Sequence, residues 1–266
     1  MANLFDLTGK NAVVMGGGGG IGRALAKGFI ENGANVLLAD IAEEPLKAAA
    51  ADIGAACGVE VLYKVTNATN EAEVEALVAY AAEKLGKITI LLNAQGFNRK
   101  FDALDYDIDA FRSMLDANIT SLMITGKYFG RHFKDNGYGK IISLSSVRGK
   151  IATKANGNAG YCSTKGAVDM LTKQLASEYG QFGITVNAIA PNIVPTPAMV
   201  AIFEMRAKEN NVTVEEYIKM QGAGIPMRRI GTAEDLIGTA VFLASAASDY
   251  MTGCTLYPDG GLTAIG

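Results

Sequence analysis

Tryptophan is absent from the 266 residues, histidine occurs once and cysteine three times. A single histidine cannot build a Cys/His metal set, and Cys57, Cys162 and Cys254 show no CxxC spacing. Neither a metal centre nor a disulfide framework is therefore expected. No apolar run approaches the about 18 residues that argue for a membrane helix. The opening "MANLFDLTGK" lacks the layout of a signal peptide. A cytoplasmic protein with no membrane partner is the expectation. Basic blocks are missing too, and the net charge is −3, so nothing favours nucleic acid. Charged residues make up 19% against 49% hydrophobic, a balance that argues against disorder and for a sizeable core. The length suits one large α/β domain spanning 1–266.

Glycine is abundant, and five stand in a row in "VVMGGGGGIG", residues 13–22. Such a run is either a linker or a backbone that something approaches closely. Its flanks decide. "NAVVM" before it reads as a buried strand. Ile21, Leu25 and Phe29 after it recur every fourth residue, one face of a helix. The next apolar run, "NVLLAD", ends in Asp40. Strand, glycine turn, helix, strand and acid is the dinucleotide-binding order, in which backbone N–H groups meet a pyrophosphate.

Strand-like runs recur near 11–15, 35–39, 60–65, 88–92, 140–145, 184–188 and 254–257. Helical patterns lie near 20–32, 43–54, 70–85, 107–135, 159–181 and 233–246. The alternation predicts a Rossmann-like, doubly wound parallel sheet of about seven strands flanked by helices. The stretch 195–230 breaks the alternation with Pro195, Pro197 and Pro226 and reads as a helical lid; a surface helical hairpin is the plainer alternative.

His132, in "GRHFKDNG", reads as a helix-end histidine rather than a catalytic one. In "YCSTKGAVDML", Tyr161 and Lys165 are four apart and share a helical face. An ammonium beside a phenol favours the phenolate, which makes tyrosine a usable acid and base. Ser145 and Ser146 end the fifth strand, where open α/β sheets bind ligands.

Together these segments resemble the short-chain dehydrogenase/reductase family along nearly the whole chain, from "LTGKNAVVMGGGGGIG" to "YMTGCTLYPDGG". The family's TGxxxGIG motif corresponds to Gly16, Gly20, Ile21 and Gly22, with Met15 in place of threonine. Its NNAG motif appears as Asn93-Ala94-Gln95-Gly96. "NAIAPNIVPT" resembles PGxxxT, with Asn192 replacing glycine and Thr196 kept. The resemblance implies a catalytic tetrad of Asn118, Ser146, Tyr161 and Lys165. It assigns the cofactor to Gly16, Gly20, Ile21, Gly22, Asp40, Val65, Asn93, Gly96 and Thr196, together with Tyr161 and Lys165. The acid usual after the third strand is replaced by Lys64. The implied reaction moves a hydride between a nicotinamide cofactor and a secondary alcohol or ketone. Tyr161 exchanges the proton, Ser146 holds the substrate oxygen, and Asn118 holds a relay water. A homotetramer is also implied, with the helices near 107–135 and 159–181 paired across a two-fold axis.

Charge decides the cofactor expectation. Asp40 accepts from ribose hydroxyls and repels a 2′-phosphate, so NAD(H) is preferred over NADP(H). Neither Ile41 nor Gly19 supplies a cation, and Arg23 is read as solvent-facing. Arg148, Lys150, Lys154, Asn156 and Asn158 surround the catalytic stretch, and Phe97, Asn98 and Arg99 follow the fourth strand. Of these, Arg148, Lys154 and Asn158, with Gln95, are the candidate substrate residues, suited to a sugar acid or polyol. "SSVRGK" and "YCSTKGAVDMLTK" look like the gluconate dehydrogenase-like branch. A lid containing Met199, Met205, Met220 and Met227 suits instead a hydroxysteroid or 3-oxoacyl compound. A non-catalytic nucleotide-binding scaffold or redox sensor is the remaining alternative.

Overall fold

A computed structural model describes residues 3–154 and 157–265. The strands are β1 (Asn11–Met15), β2 (Asn35–Asp40), β3 (Leu62–Val65), β4 (Ile90–Asn93), β5 (Gly139–Leu144), β6 (Ile184–Ile189) and β7 (Thr255–Leu256). They form one parallel sheet in the order β3-β2-β1-β4-β5-β6-β7. The helices are α1 (Gly20–Glu31), α2 (Glu43–Cys57), α3 (Glu71–Leu85), α4 (Ile108–Leu115), α5 (Ser121–Asn136), α6 (Ala159–Tyr179), α7 (Pro197–Glu209), α8 (Val214–Gly222) and α9 (Ile237–Ala244).

Period-two alternation splits each strand between two cores. Ala12 and Val14 of β1 face Leu25 and Phe29 of α1, Leu46 of α2 and Val241 of α9. Val13 and Met15 face Val74 and Leu77 of α3, Phe129 and Phe133 of α5 and Leu175 of α6. With helices on both faces, the inner strands need no polar side, which is why "NAVVM" and "GKIISL" are buried along their length. The register sets Met15 level with both Ala39 and Asn93, so the carboxyl ends of β1, β2 and β4 lie at one edge.

Several boundaries differ from the sequence reading. The helix expected over 107–135 is two helices, α4 and α5, joined by a π-helical turn at Asp116–Thr120. Ala110, Met114, Asn118 and Leu122 are all buried at a spacing of four through that turn, so nothing in the sequence pattern marks it. The third strand starts at Leu62 rather than 60. The last is only two residues, since Gly253 turns the chain with φ +74° just before it. The stretch near 233–246 is α9 between two 3₁₀ turns.

The 195–230 region folds as α7 and α8, with a small core of its own. Phe203, Ile225 and Ile230 are buried there against Met199, Val214, Tyr217 and Ile218. Thr213 and Glu216 close the start of α8 with a reciprocal capping box. No helix among the described residues is long and apolar enough to cross a membrane.

Candidate active site

Strand order reverses between β1 and β4, which opens a crevice at their carboxyl ends. The glycine turn enters it from β1. Gly16 has φ +74°, and a Cβ there would stand 2.6 Å from the Gln95 nitrogen. A Cβ on Gly22 would overlap the Gly16 carbonyl oxygen. These two glycines are required by the fold itself, before any ligand arrives. Gly19 is different, since its Cβ would meet only the Gly16 oxygen, at 3.3 Å. Gly19 caps α1 without a side chain, so no side chain covers the first-turn amides.

Asp40 ends β2 beside this turn. Its carboxylate accepts from the Gly18 N–H and the Ala42 N–H, each at 3.1 Å. Arg23 pairs with Asp52 of α2 at 2.6 Å. Lys64 stands over the Tyr80 ring, 4.9 Å from its centroid. Val65 pairs with Asp40 across the sheet and is exposed.

Past β4, Asn93 turns inward. Its amide oxygen accepts from Thr125 and, more weakly, from Gln95. Gln95 also donates to Ser121, so its side chain lies behind the crevice wall with its Oε1 buried and unpartnered. Gly96 has φ +137°, and a Cβ there would lie 2.6 Å from Asn118 Oδ1. Asn118 comes from the π-helical turn and pins this loop. It accepts from Phe97 N at 2.9 Å, and its Nδ2 donates to Phe97 O and to Thr164 Oγ1.

Ser146, Tyr161 and Lys165 meet where β5 hands over to α6. The Ser146 hydroxyl accepts from Arg148 N at 3.2 Å and makes a long 3.5 Å bond to the Pro191 carbonyl. Lys165 is buried, and its Nζ donates to the Leu144 carbonyl at 2.7 Å while standing 5.6 Å from the Tyr161 ring centroid. Burial lowers the Lys165 pKa to about 8. Burial also raises the Tyr161 phenol, against a lowering contribution from its hydrogen bond with Ser146. Burial thus resists ionisation of both partners, against the lowering expected from the spacing, and the Lys165 ammonium is turned to the Leu144 carbonyl.

Asp169, one turn beyond Lys165, was not singled out by the sequence. Burial raises its pKa, while hydrogen bonds from Ser145 and Thr255 oppose that, and its charge favours the Lys165 ammonium. The i, i+4 relation to Lys165 is visible in the sequence, but i, i+4 pairs are too common to mark it.

The expected substrate residues separate. Arg148 donates to the Ala152 carbonyl of its own loop at 3.1 Å. Asn158 is buried and accepts from Asn98 Nδ2 at 3.0 Å, bridging the loop after β4 and the start of α6. Lys150 stands 4.9 Å from the Tyr257 ring centroid, and Lys154 is exposed. Asn156 lies outside the described residues. His132 sits at the opposite end of the sheet, where its Nε2 accepts from Ile88 N. Burial lowers its pKa. Thr196 caps α7, accepting from Met199 N.

These residues fit a nicotinamide dinucleotide. Glycines that admit no Cβ, uncapped helix amides and a fixed carboxylate lie at one end of the crevice. The Ser146, Tyr161 and Lys165 cluster lies at the other. The family model described as "Enoyl-(Acyl carrier protein) reductase" matches residues 16–263. Galactitol 2-dehydrogenase (L-tagatose-forming) of Cereibacter sphaeroides is 34% identical over 98% of this chain and 97% of its own. Gluconate 5-dehydrogenase of Gluconobacter oxydans is 33% identical over 98% and 97%. The crystal structure of a gluconate 5-dehydrogenase from Burkholderia cenocepacia in complex with NADP and tartrate superimposes with a TM-score of 0.87. It is 32% identical and covers 99% of this chain and 98% of that one. Fold, crevice and matches along the whole chain agree: the protein belongs to the short-chain dehydrogenase/reductase family of oxidoreductases, acting on CH–OH groups.

Proposed function

We propose that the protein is an NAD(H)-dependent dehydrogenase of a polyol or sugar acid. The observation that carries the reaction is the convergence of Ser146, Tyr161 and Lys165 at the carboxyl end of β5. A bound nicotinamide supplies the hydride acceptor in oxidation and the donor in reduction. Tyr161, once ionised, would take the alcohol proton on its phenolate oxygen in oxidation, and as the phenol would return it in reduction. Ser146 holds the substrate oxygen beside it. Lys165 would hold the cofactor's ribose, and its positive charge near the phenol would favour ionisation of Tyr161 against burial. Asn118, whose side chain is committed to Phe97 and Thr164, holds the loop beside which a relay water would sit.

Substrate class rests on the relatives, which act on galactitol and gluconate by name. The Asn98–Asn158 bridge and Arg148 add hydrogen-bonding groups beside the catalytic cluster. The hydroxysteroid alternative finds less support. Met199 is absorbed in the small core of the lid, while Met205, Met220 and Met227 are each more than half exposed.

The preference for NAD(H) rests on Asp40 and on the occupation of nearby cations. Arg23 is paired with Asp52, and Lys64 lies over Tyr80. The Burkholderia relative holds NADP, so cofactor choice needs a direct test. The double variant Asp40→Ala/Ile41→Arg loses charge-assisted bonds of about 1.5–3 kcal/mol to ribose and gains a phosphate partner. The ratio of kcat/KM for NAD over NADP should fall by at least tenfold. A ratio within about twofold of wild type, or a wild type that already prefers NADP, contradicts the role given to Asp40. A homotetramer paired through the helical stretches 107–135 and 159–181 belongs to the same reading, and Met123 of α5 and Met170 of α6 are exposed there. Sedimentation should then give a species of four chains at micromolar concentration; a monomer contradicts it.

A further inference from the structure

The segment from Pro191 to Pro197 spans the crevice. At one end the Pro191 carbonyl accepts from Val147 N at 3.1 Å and from the Ser146 hydroxyl. At the other, a Cβ on Gly20 would come within 3.0 Å of Pro197 and 3.4 Å of Thr196. The segment thus runs from the catalytic serine to the glycine turn, alongside the path a dinucleotide takes between them. Its outer side is fixed, because Ile193 O accepts from Gly231 N at 2.9 Å.

Asn192 lies in this segment, next to Pro191, where the family motif has glycine. Its backbone is outside the left-handed region, so glycine is not needed for conformation. Its Nδ2 is buried and has no hydrogen-bond partner. A buried amide donor without an acceptor is unfavourable unless something fills the place. Every other buried side-chain donor described at this end of the site has a partner: Asn118 has Phe97 and Thr164, and Lys165 has Leu144.

We propose that Asn192 is a ligand contact, its Nδ2 donating to an acceptor oxygen of the bound reactants beside the carbon that exchanges the hydride. The inference deepens the function proposed above and rests on it. The acceptor comes from one of two sources, the carboxamide oxygen of the nicotinamide or a substrate oxygen. In either case the ligand removes an unsatisfied donor that the ligand-free protein carries, so Asn192 favours the bound state without supporting the empty fold.

The test uses Asn192→Ala, which deletes the amide, and Asn192→Asp, which keeps its size and puts an acceptor in place of the donor. Three quantities are read on the full-length protein: the ligand-free Tm, the dissociation constant of whichever of NADH or NADPH wild type binds more tightly, and the KM of the alcohol that wild type oxidises best. The ligand-free Tm of Asn192→Ala should equal or exceed that of wild type. Loss of the donor should weaken ligand binding about tenfold. A weaker cofactor dissociation constant in both variants assigns the carboxamide. An unchanged one with a raised KM assigns the substrate oxygen.

The proposal is overturned if both constants stay within twofold of wild type, or if Asn192→Ala lowers the ligand-free Tm by several degrees. It is also overturned if Asn192→Asp binds like wild type while Asn192→Ala does not, since the buried atom would then be an acceptor. If wild type oxidises no alcohol, the proposed function fails on its own terms. Cofactor affinity then decides for Asn192 alone, and unchanged values overturn its role.

Discussion

The spacing of Tyr161 and Lys165, the pair proposed to carry the chemistry, was visible in the sequence, but their electrostatics were not. Burial lowers Lys165 to about 8 and raises Tyr161. Alcohol oxidation needs the unprotonated phenol, and burial resists its ionisation, so kcat/KM for oxidation should climb toward alkaline pH, approaching about tenfold per unit while the phenol stays mostly protonated. Ketone reduction needs the protonated phenol and should fall as oxidation rises. Lys165→Met removes the cation and should move the oxidative limb to higher pH. Tyr161→Phe should lower turnover by about 10²–10⁴-fold with cofactor affinity nearly unchanged. A flat profile, or a phenylalanine variant with more than about a tenth of the wild-type rate, contradicts these roles. Gln95 shows the opposite limit of sequence reading. It stood in a cofactor motif and was expected toward substrate, yet its amide turns inward to Asn93 and Ser121. Nothing in a one-dimensional motif tells which side of a loop a long side chain takes.

Among the elements, the parallel strands and most helices were legible because two-sided burial writes continuous apolar runs and i, i+4 stripes. The π-helical turn was hidden for the reason that makes it useful. It inserts a residue without interrupting the apolar face, and so carries Asn118 under the Phe97 loop. The lid was legible only as a break in the alternation. Its stability is its own affair, resting on the tilted Phe203–Tyr217 pair at 5.7 Å and a few aliphatic neighbours. An element with so small a core opens more easily than the sheet. Phe203→Ala should therefore expose 197–222 to limited proteolysis and raise the substrate KM several-fold, with little change in the main unfolding transition. Equal protection of this segment in variant and wild type would show that α7 and α8 are held from elsewhere.

For the whole molecule, the parallel sheet brings the glycine turn, Asp40 and the β5–α6 catalytic groups to one edge, although they are spread from Gly16 to Lys165 in sequence. His132, at the other end of the sheet, is excluded from chemistry by that same topology. The family and reaction class follow from this arrangement, while the alcohol is set by loop residues whose pattern leaves several polar ligands open. The most direct measurement is the appearance of reduced nicotinamide, followed by its near-ultraviolet absorbance, when the purified protein receives NAD and a panel of alcohols. The panel holds galactitol, sorbitol, gluconate, a hydroxysteroid and a 3-hydroxyacyl thioester. Reduction with a polyol or sugar acid, abolished by Tyr161→Phe, is the predicted result; reduction only with the steroid or thioester, or with none of them and either cofactor, would contradict it.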